Sequence, residues 1–174
     1  MIAFRSAVLA GALLASGLTA LPATARPYRA AVFDIELLDT SQEAEAGERT
    51  DQTRRLQLVS EELRKLLAAS GQIALVDLAP KAAEIEKQAP LFKCNGCDED
   101  LAKALGADLA VSGYVQKTSN LILAFVVTVK EAATGKLLRA GQVDIRGNND
   151  EMWLRGIRYA VRNRILAEPL PERP

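Results

Sequence analysis

The chain has 174 residues, and its 22 basic residues equal its 22 acidic residues, so the formal net charge is zero. A neutral chain has no general electrostatic attraction to nucleic acid or to anionic lipid, which argues against a nucleic-acid partner. The absence of histidine excludes Ser-His and Cys-His nucleophile systems, histidine general bases and histidine-ligated zinc. With two cysteines and no histidine, a closed zinc site within one chain would need carboxylate ligands and is not expected. We expect no cofactor.

The first 25 residues have the pattern of a cleavable export signal. Residues 1–5 carry one positive charge, residues 6–21 are apolar, and Ala23 and Ala25 supply the small side chains that a signal peptidase accepts. We therefore predict cleavage between Ala25 and Arg26 and a periplasmic location, with an uncut N-terminal anchor as the alternative. The mature chain of 149 residues would be one domain of ordinary size without an integral membrane span.

The first predicted strand covers residues 29–38, where apolar side chains alternate with Asp34 and Glu36. The two carboxylates would lie on one face, with Cβ atoms roughly 7 Å apart. That separation admits a glycosidase-like acid–base pair. We favour the polar face of a half-buried strand, because both carboxylates come from one strand and no aromatic platform for a sugar accompanies them. A carboxylate-based hydrolase is the weaker alternative.

A helix is predicted over residues 51–70, where leucine and valine recur at helical spacing, and Gly71 supplies its left-handed stop. A short buried strand follows over residues 73–77. Pro80 suits the first turn of a second helix, which must end before Pro90.

The motif Cys94-Asn95-Gly96-Cys97 is a predicted turn, after which Asp98 caps a brief helix. In an exported chain two neighbouring thiols are usually oxidised, so we predict a structural disulfide between Cys94 and Cys97. A thiol-disulfide redox centre is the first alternative, although such a centre normally follows a strand and opens a long helix. A metal site shared with other ligands is the second.

Three consecutive strands and a last helix are predicted in the remainder: residues 107–116, 121–130 and 137–146, then a helix from an N-cap within residues 148–150 to about Leu166. Residues 168–174 contain three prolines, which indicates a flexible tail. The order β-α-β-α-(α)-β-β-β-α predicts an α/β (α+β) fold. We expect a single mixed sheet of about five strands with helices packed on it, forming one domain over residues 26–167.

Arg155, Arg158 and Arg162 form a basic stripe on the last predicted helix, at positions i, i+3 and i+7. Such a stripe is either a solvated face or a docking surface for an acidic partner.

Several short motifs recur in the order seen in known envelope domains: AVFDIE at residues 31–36, GADLAVSG at residues 106–113 and ATGK at residues 133–136. In this order they resemble the TolB amino-terminal domain and its relatives, including curli-secretion lipoproteins. With CNGC at residues 94–97 and VDIRGN at residues 143–148, the chain more closely resembles an exported proteobacterial family known only as a domain of unknown function. The resemblance implies an α/β envelope domain that contacts other proteins, and it brings no catalytic residues.

These observations predict a non-enzymatic protein that binds another envelope or periplasmic protein. The alternative from a different class is a thiol-disulfide redox protein that uses Cys94 and Cys97.

Overall fold

The computed structural model describes residues 26–47 and 49–171, so the predicted export signal lies outside the described residues. Its five strands form one mixed sheet in the order β2-β1-β3-β4-β5. The strands are β1 (Tyr28–Asp39), β2 (Ile73–Leu75), β3 (Leu109–Lys117), β4 (Leu123–Glu131) and β5 (Leu137–Ile145); the helices are α1 (Thr50–Ala69), α2 (Ala82–Gln88), α3 (Cys97–Ala104) and α4 (Asp150–Ala160). The predicted fold class and order of elements are confirmed.

The sheet combines a crossover unit with a meander. Strand β1 pairs in parallel with both β2 and β3, and β3, β4 and β5 pair antiparallel in chain order. Helix α1 connects β1 to β2, and α2 and α3 connect β2 to β3. Because α1 and α4 pack on one face and α3 on the other, the sheet has a core on each side.

The larger core lies between the sheet and the helices α1 and α4. Leu63 of α1 and Trp153 of α4 are fully buried there against β-strand side chains such as Phe125. Helix α4 approaches the sheet closely because residue 156 is glycine. A Cβ atom on Gly156 would lie 2.7 Å from Cγ2 of Ile145, closer than side chains normally pack.

The predicted simple alternation along β1 is wrong at its centre. The pairing of β1 with β3 shifts register between Val32 and Ile35, as a β-bulge does when it adds a residue to one strand. Phe33 therefore lies in the smaller core with α3, whereas Ile35 lies in the larger core with α1.

Two local predictions are also corrected. The strand β2 is not buried, because it forms the edge of the sheet: Ile73 is buried, but Leu75 is 43% exposed. Asp98 does not cap α3. The N-cap is Gly96, with φ of 96°, and the side chain of Asp98 is instead buried beneath the helix. This left-handed conformation favours glycine over residues with a side chain.

The C-terminal segment packs on the domain as far as Pro171. Leu170 is only 8% exposed, its N–H donates to Gln72 Oε1 at 2.7 Å, and Tyr28 Oη donates to the Pro171 carbonyl at 2.7 Å. This part of the predicted flexible tail is therefore held in place, and residues 172–174 lie outside the described residues. Among the described helices, none has both the length and the apolar character needed to cross a membrane.

Candidate functional site

The predicted basic stripe lies on the outer face of α4 and the turn that follows it. Arg155, Arg158 and Arg162 are all exposed. Arg155 pairs with Glu151 one turn earlier at 3.2 Å, and Nε of Arg158 donates to Oε1 of Glu62 on α1 at 2.6 Å. Arg162 forms no ion pair within the described part of the chain.

Two further residues extend this surface, and sequence reasoning missed both. Tyr159 is 48% exposed and lies among the arginines. Arg164 is exposed and, like Arg162, has no acidic partner among the described residues. We call the surface formed by Arg155, Arg158, Tyr159, Arg162 and Arg164 the arginine face.

A π-helical turn accounts for the position of Arg164. Nine residues are two and a half turns of α-helix, so helical periodicity places Arg164 opposite Arg155. The helix widens over Val161–Ile165, where the N–H of Leu166 donates to the carbonyl of Val161 at 2.8 Å. The wider turn changes the angle about the helix axis between Arg155 and Arg164. Arg155 and Arg164 consequently line one groove.

That groove lies between β5 and α4 and has a volume of about 400 Å³. Four consecutive residues of β5 line one side: Gln142, Val143, Asp144 and Ile145. Arg155, Gly156, Tyr159 and Arg164 line the other. A second groove, of about 420 Å³ on the outer surface of α4, shares Arg155 and Tyr159 with the first and includes Arg158 and Arg162.

Gly141 allows the π-helical turn to lie against β5. A Cβ atom on Gly141 would come within 2.6 Å of the Cβ atom of Arg164, a distance that side chains do not tolerate. The position of Arg164 beside β5 therefore depends on glycine at position 141.

The acidic residues of β1 lie near each other but bind different elements. Oδ1 of Asp34 accepts from Arg64 Nη2 of α1 at 2.6 Å. The two carboxylate oxygens of Glu36 accept the backbone N–H groups of Leu91 and Phe92 at 2.8 and 3.2 Å.

Both carboxylates of β1 border a largely apolar groove of about 370 Å³ beside α2. Burial raises the pKa of Glu36, although its two backbone hydrogen bonds oppose that shift. These contacts fix the loop before Cys94 to β1. Asp34, in contrast, is exposed to solvent, with 73% of its side chain accessible.

Cys94 and Cys97 lie on the two sides of the Gly96 turn, and their sulfur atoms are in contact. Their Cα atoms are 5.8 Å apart, within the range that disulfides occupy. Cys97 is buried at the first position of α3, and Cys94 is half-buried. The covalent bond between them stays a prediction.

A buried polar cluster lies directly beneath this turn. Asp98 accepts from Ser112 Oγ at 2.7 Å and from Lys130 Nζ at 3.2 Å, and the same Nζ lies 2.9 Å from Glu99. Burial alone would raise the pKa of Asp98, but its hydrogen bonds with Glu99, Ser112 and Lys130 lower it. Burial and the adjacent Asp98 raise the pKa of Glu99. The cluster attaches α3 to β3 and β4.

A fully buried cation lies at the far end of the sheet. The side chain of Lys117 is fully buried, and its Nζ lies 3.0 Å from both Asp39 and Glu43. Within residues 26–47 and 49–171, no three acidic or cysteine side chains are placed to share a metal ion.

A comparison with models of protein families identifies the family of the chain. The family model DUF3280, described as a protein of unknown function (DUF2380), matches residues 28–165. The chain therefore belongs to this family. A family of unknown function was expected from the sequence motifs, and the match confirms that much. The more distant likeness to the TolB domain stays a prediction.

Several solved structures are similar to this chain at low sequence identity. The C-terminal domain of LpoB from Salmonella enterica has a TM-score of 0.51 and 16% identity, covering 72% of this chain and 87% of that chain. Lipoprotein GNA1162 from Neisseria meningitidis has a TM-score of 0.49 and 16% identity, covering 83% and 100%. The PelC dodecamer from Paraburkholderia phytofirmans has a TM-score of 0.49 and 13% identity, covering 88% and 94%. The likeness to LpoB shows the fold alone. No curated protein sequence matches the chain at a significant level.

Proposed function

We propose that this protein is a non-enzymatic docking domain of the bacterial periplasm, and that it binds an acidic region of another envelope protein through the arginine face. The observation that carries the proposal is the pair Arg162 and Arg164, two exposed cations without an acidic partner in the described residues, beside the exposed Tyr159. Arginine and tyrosine are enriched at protein interfaces and supply much of their binding energy.

Other arginines of the same helix layer are paired, which distinguishes them from the arginine face. Arg54 and Arg55 of α1 both bind Asp150 at the start of α4, at 2.8 and 2.9 Å. These pairs join α1 to α4. Arg162 and Arg164 make no such link, so their charge is available to a partner. A cationic patch on a chain of near-zero net charge attracts acidic surfaces locally, and the attraction weakens as salt rises.

The periplasmic part of the proposal depends on the predicted export signal. Cleavage after Ala25 would release a chain that begins at Arg26. Intact mass measurement of protein from an osmotic-shock fraction should give the mass of residues 26–174. Protein that retains Met1 and sediments with membranes would contradict export in soluble form.

Crosslinking in intact cells tests the docking function. Tagged wild-type protein is compared with the double variant Arg162→Glu, Arg164→Glu, and the captured proteins are identified by mass spectrometry. The matched control is Lys65→Glu with Lys87→Glu, because both lysines are exposed, have no acidic partner among the described residues and give the same change in net charge.

We expect one envelope protein to be captured by the wild type and by the lysine control, and to be lost from the arginine variant. A partner captured equally by all three proteins would show that binding occurs elsewhere, and would reject the arginine face.

The second candidate is a thiol-disulfide protein. It is favoured by the contact between the two sulfur atoms and by the place of Cys97 at the first position of a helix, where a thiolate is stabilised. The carboxylate of Asp98, the next residue, opposes a thiolate, and Cys97 itself is buried. We therefore rank this function below docking.

A further inference from the structure

We infer that the partner binds by strand addition: an extended acidic segment pairs with the outer edge of β5 and lies in the groove between β5 and α4. This inference rests on the proposed function and specifies how the arginine face recognises its partner. Strand addition takes its affinity from main-chain hydrogen bonds and its specificity from alternate side chains.

The outer edge of β5 is open. Strand β5 is the last in the sheet, with β4 on one side and no strand on the other within the described residues. Successive side chains of a strand point to opposite faces. A groove lined by all four residues Gln142 to Ile145 therefore follows the backbone edge, and not one face of the sheet.

On the opposite side of the sheet, side chains close the part of β1 that extends beyond the short edge strand β2. Strand β2 pairs with only the first residues of β1. Beyond it, Nε of Arg64 donates to the carbonyl of Val32 at 3.2 Å, and the N–H of Ile35 donates to Ser60 Oγ at 2.8 Å. Helix α1 thus satisfies the backbone of β1 where a strand could otherwise add. Proteins commonly protect their edges in this way, whereas within residues 26–47 and 49–171 no side chain makes a comparable hydrogen bond to the backbone of β5 along its groove.

The groove selects an acidic occupant. Arg155 and Arg164 line it with one carboxylate, that of Asp144, and the exposed ring of Tyr159 lies with them. Arg155 also forms an ion pair with Glu151, but both side chains are at least 70% exposed, and such a pair is weak enough to be exchanged for a partner's carboxylate. Arginine binds carboxylates through paired hydrogen bonds, which fix position as well as charge. An extended segment that places acidic residues at alternate positions can reach both guanidinium groups while its backbone pairs with β5.

The same charges argue against two other occupants. In a symmetric edge-to-edge dimer, a two-fold axis would bring the arginines of one copy toward those of the other, because both partners use the same surface. Residues 1–25 of this chain carry one charged side chain, the basic Arg5, and so do not complement the groove. A segment of a different, acidic protein is the occupant that fits.

A peptide experiment tests strand addition on the purified protein. The probe is a capped nine-residue peptide that alternates glutamate with valine, labelled for fluorescence anisotropy. Two further peptides carry N-methyl groups on the odd or on the even residues. Only alternate N–H groups of an added strand face β5, so one methylated peptide should bind and the other should lose binding about ten-fold or more. NMR should show shifted backbone amides at Gln142 to Ile145.

The arginines are tested with the same peptide. Arg155→Glu with Arg164→Glu should weaken binding about ten-fold or more, and Lys65→Glu with Lys87→Glu should leave it unchanged. A peptide with lysine in place of glutamate should not bind.

Three results would overturn strand addition. Arginine-dependent binding that tolerates both methylated peptides would leave the docking function standing but reject the strand. No binding up to about 1 mM peptide would also reject strand addition. The docking function would then be decided separately by the crosslinking result in cells. A protein dimer in sedimentation that the peptide dissociates would assign the edge to a second copy of the chain.

Discussion

Two lysines of the sheet and two arginines of the π-helical turn after α4 carry the same charge in different surroundings. Lys117 is fully buried between Asp39 and Glu43, and Lys130 joins Asp98 and Glu99 under α3. Each of these cations therefore holds two elements of the fold together. The arginines at positions 162 and 164 hold nothing together among the described residues. The contrast separates charges that the fold requires from charges that are available for binding.

The pKa shifts follow this division. Burial alone would lower the pKa of Lys117, but its hydrogen bonds to Glu43 and Asp39 outweigh burial and raise it. The same balance raises the pKa of Lys130, through Glu99 and Asp98. Both lysines thus stay charged at neutral pH, so the loss of either one leaves two neighbouring carboxylates without their cation.

The largest effect on stability is expected from Lys130→Met. The variant keeps the volume of the side chain and leaves Asp98 and Glu99 buried without their cation, which should lower the free energy of unfolding by about 3 kcal/mol at neutral pH. Urea unfolding measures this loss. The control Lys65→Met, at an exposed position, should stay within about 0.5 kcal/mol of the wild type.

This loss should depend on pH. The pKa of Glu99 is raised in the folded protein, so folding favours its protonated form and its contribution to stability falls as pH rises. Protonation of Glu99 removes one of the two unpaired charges of the variant. The difference between wild type and Lys130→Met should therefore be smaller at about pH 5 than at about pH 7.5. A difference that does not change with pH would show that Lys130 acts through packing alone.

A smaller loss is expected from Asp39→Asn. The amide keeps the shape of the carboxylate but removes one of the two negative charges at the buried Lys117, which should cost about 2 kcal/mol. The pKa of Asp39 is lowered, with hydrogen bonds from Ser41 and Lys117 outweighing burial. The stability that Asp39 contributes is thus present above its unfolded pKa and lost as pH falls below about 4.

The measurement for Asp39→Asn is urea unfolding at pH 7 and at pH 3. The variant should be less stable than wild type at pH 7, and the difference should be smaller at pH 3. The exposed Asp144 provides the control, since Asp144→Asn should change neither value by more than about 0.5 kcal/mol. Equal losses from both variants would contradict the role given to the Lys117 cluster.

The cysteine pair should contribute about 2 kcal/mol or less, because a bridge between Cys94 and Cys97 closes a very short loop. Replacing both cysteines by serine should lower the melting temperature by a few degrees and leave partner capture intact. A redox protein would instead have an easily reduced bridge, at roughly −200 mV or above, and one acidic thiol. Titration against glutathione, with the pH dependence of alkylation, decides between the docking and redox functions.

Sequence periodicity predicted the order of elements along the chain and most element bounds, because glycine stops and apolar spacing are local signals. It failed where the deciding contact is distant. The bulge in β1 moves Phe33 and Ile35 into different cores, and no residue type marks it. Aspartate is favoured at helix N-caps, yet the side chain of Asp98 is bound by Ser112 of β3 and Lys130 of β4.

For the candidate site, the sequence showed three of the four arginines of the arginine face. Arg164 could not be assigned to this face from the sequence, because the π-helical turn departs from the spacing of an α-helix. That turn packs against Gly141, a contact distant in the sequence. The open edge of β5 could not be predicted at all, since which strand lies at the edge is a property of the sheet order.

The smallest effects on stability are expected at Arg158 and Arg162. These two arginines lie on one helix face and differ in whether an acidic residue binds them. Arg158 binds Glu62 at 2.6 Å with its own side chain 45% exposed, so Arg158→Gln should cost about 0.5 kcal/mol, the usual value of an exposed ion pair. Arg162 has no such partner in the described residues, and Arg162→Gln should leave thermal unfolding unchanged. If Arg162 belongs to the docking surface, the same variant should weaken partner capture more than Arg158→Gln does. An Arg162→Gln variant that unfolds earlier than Arg158→Gln but captures the partner normally would place Arg162 with the structural charges, and the arginine face would lose one of the two residues on which it depends.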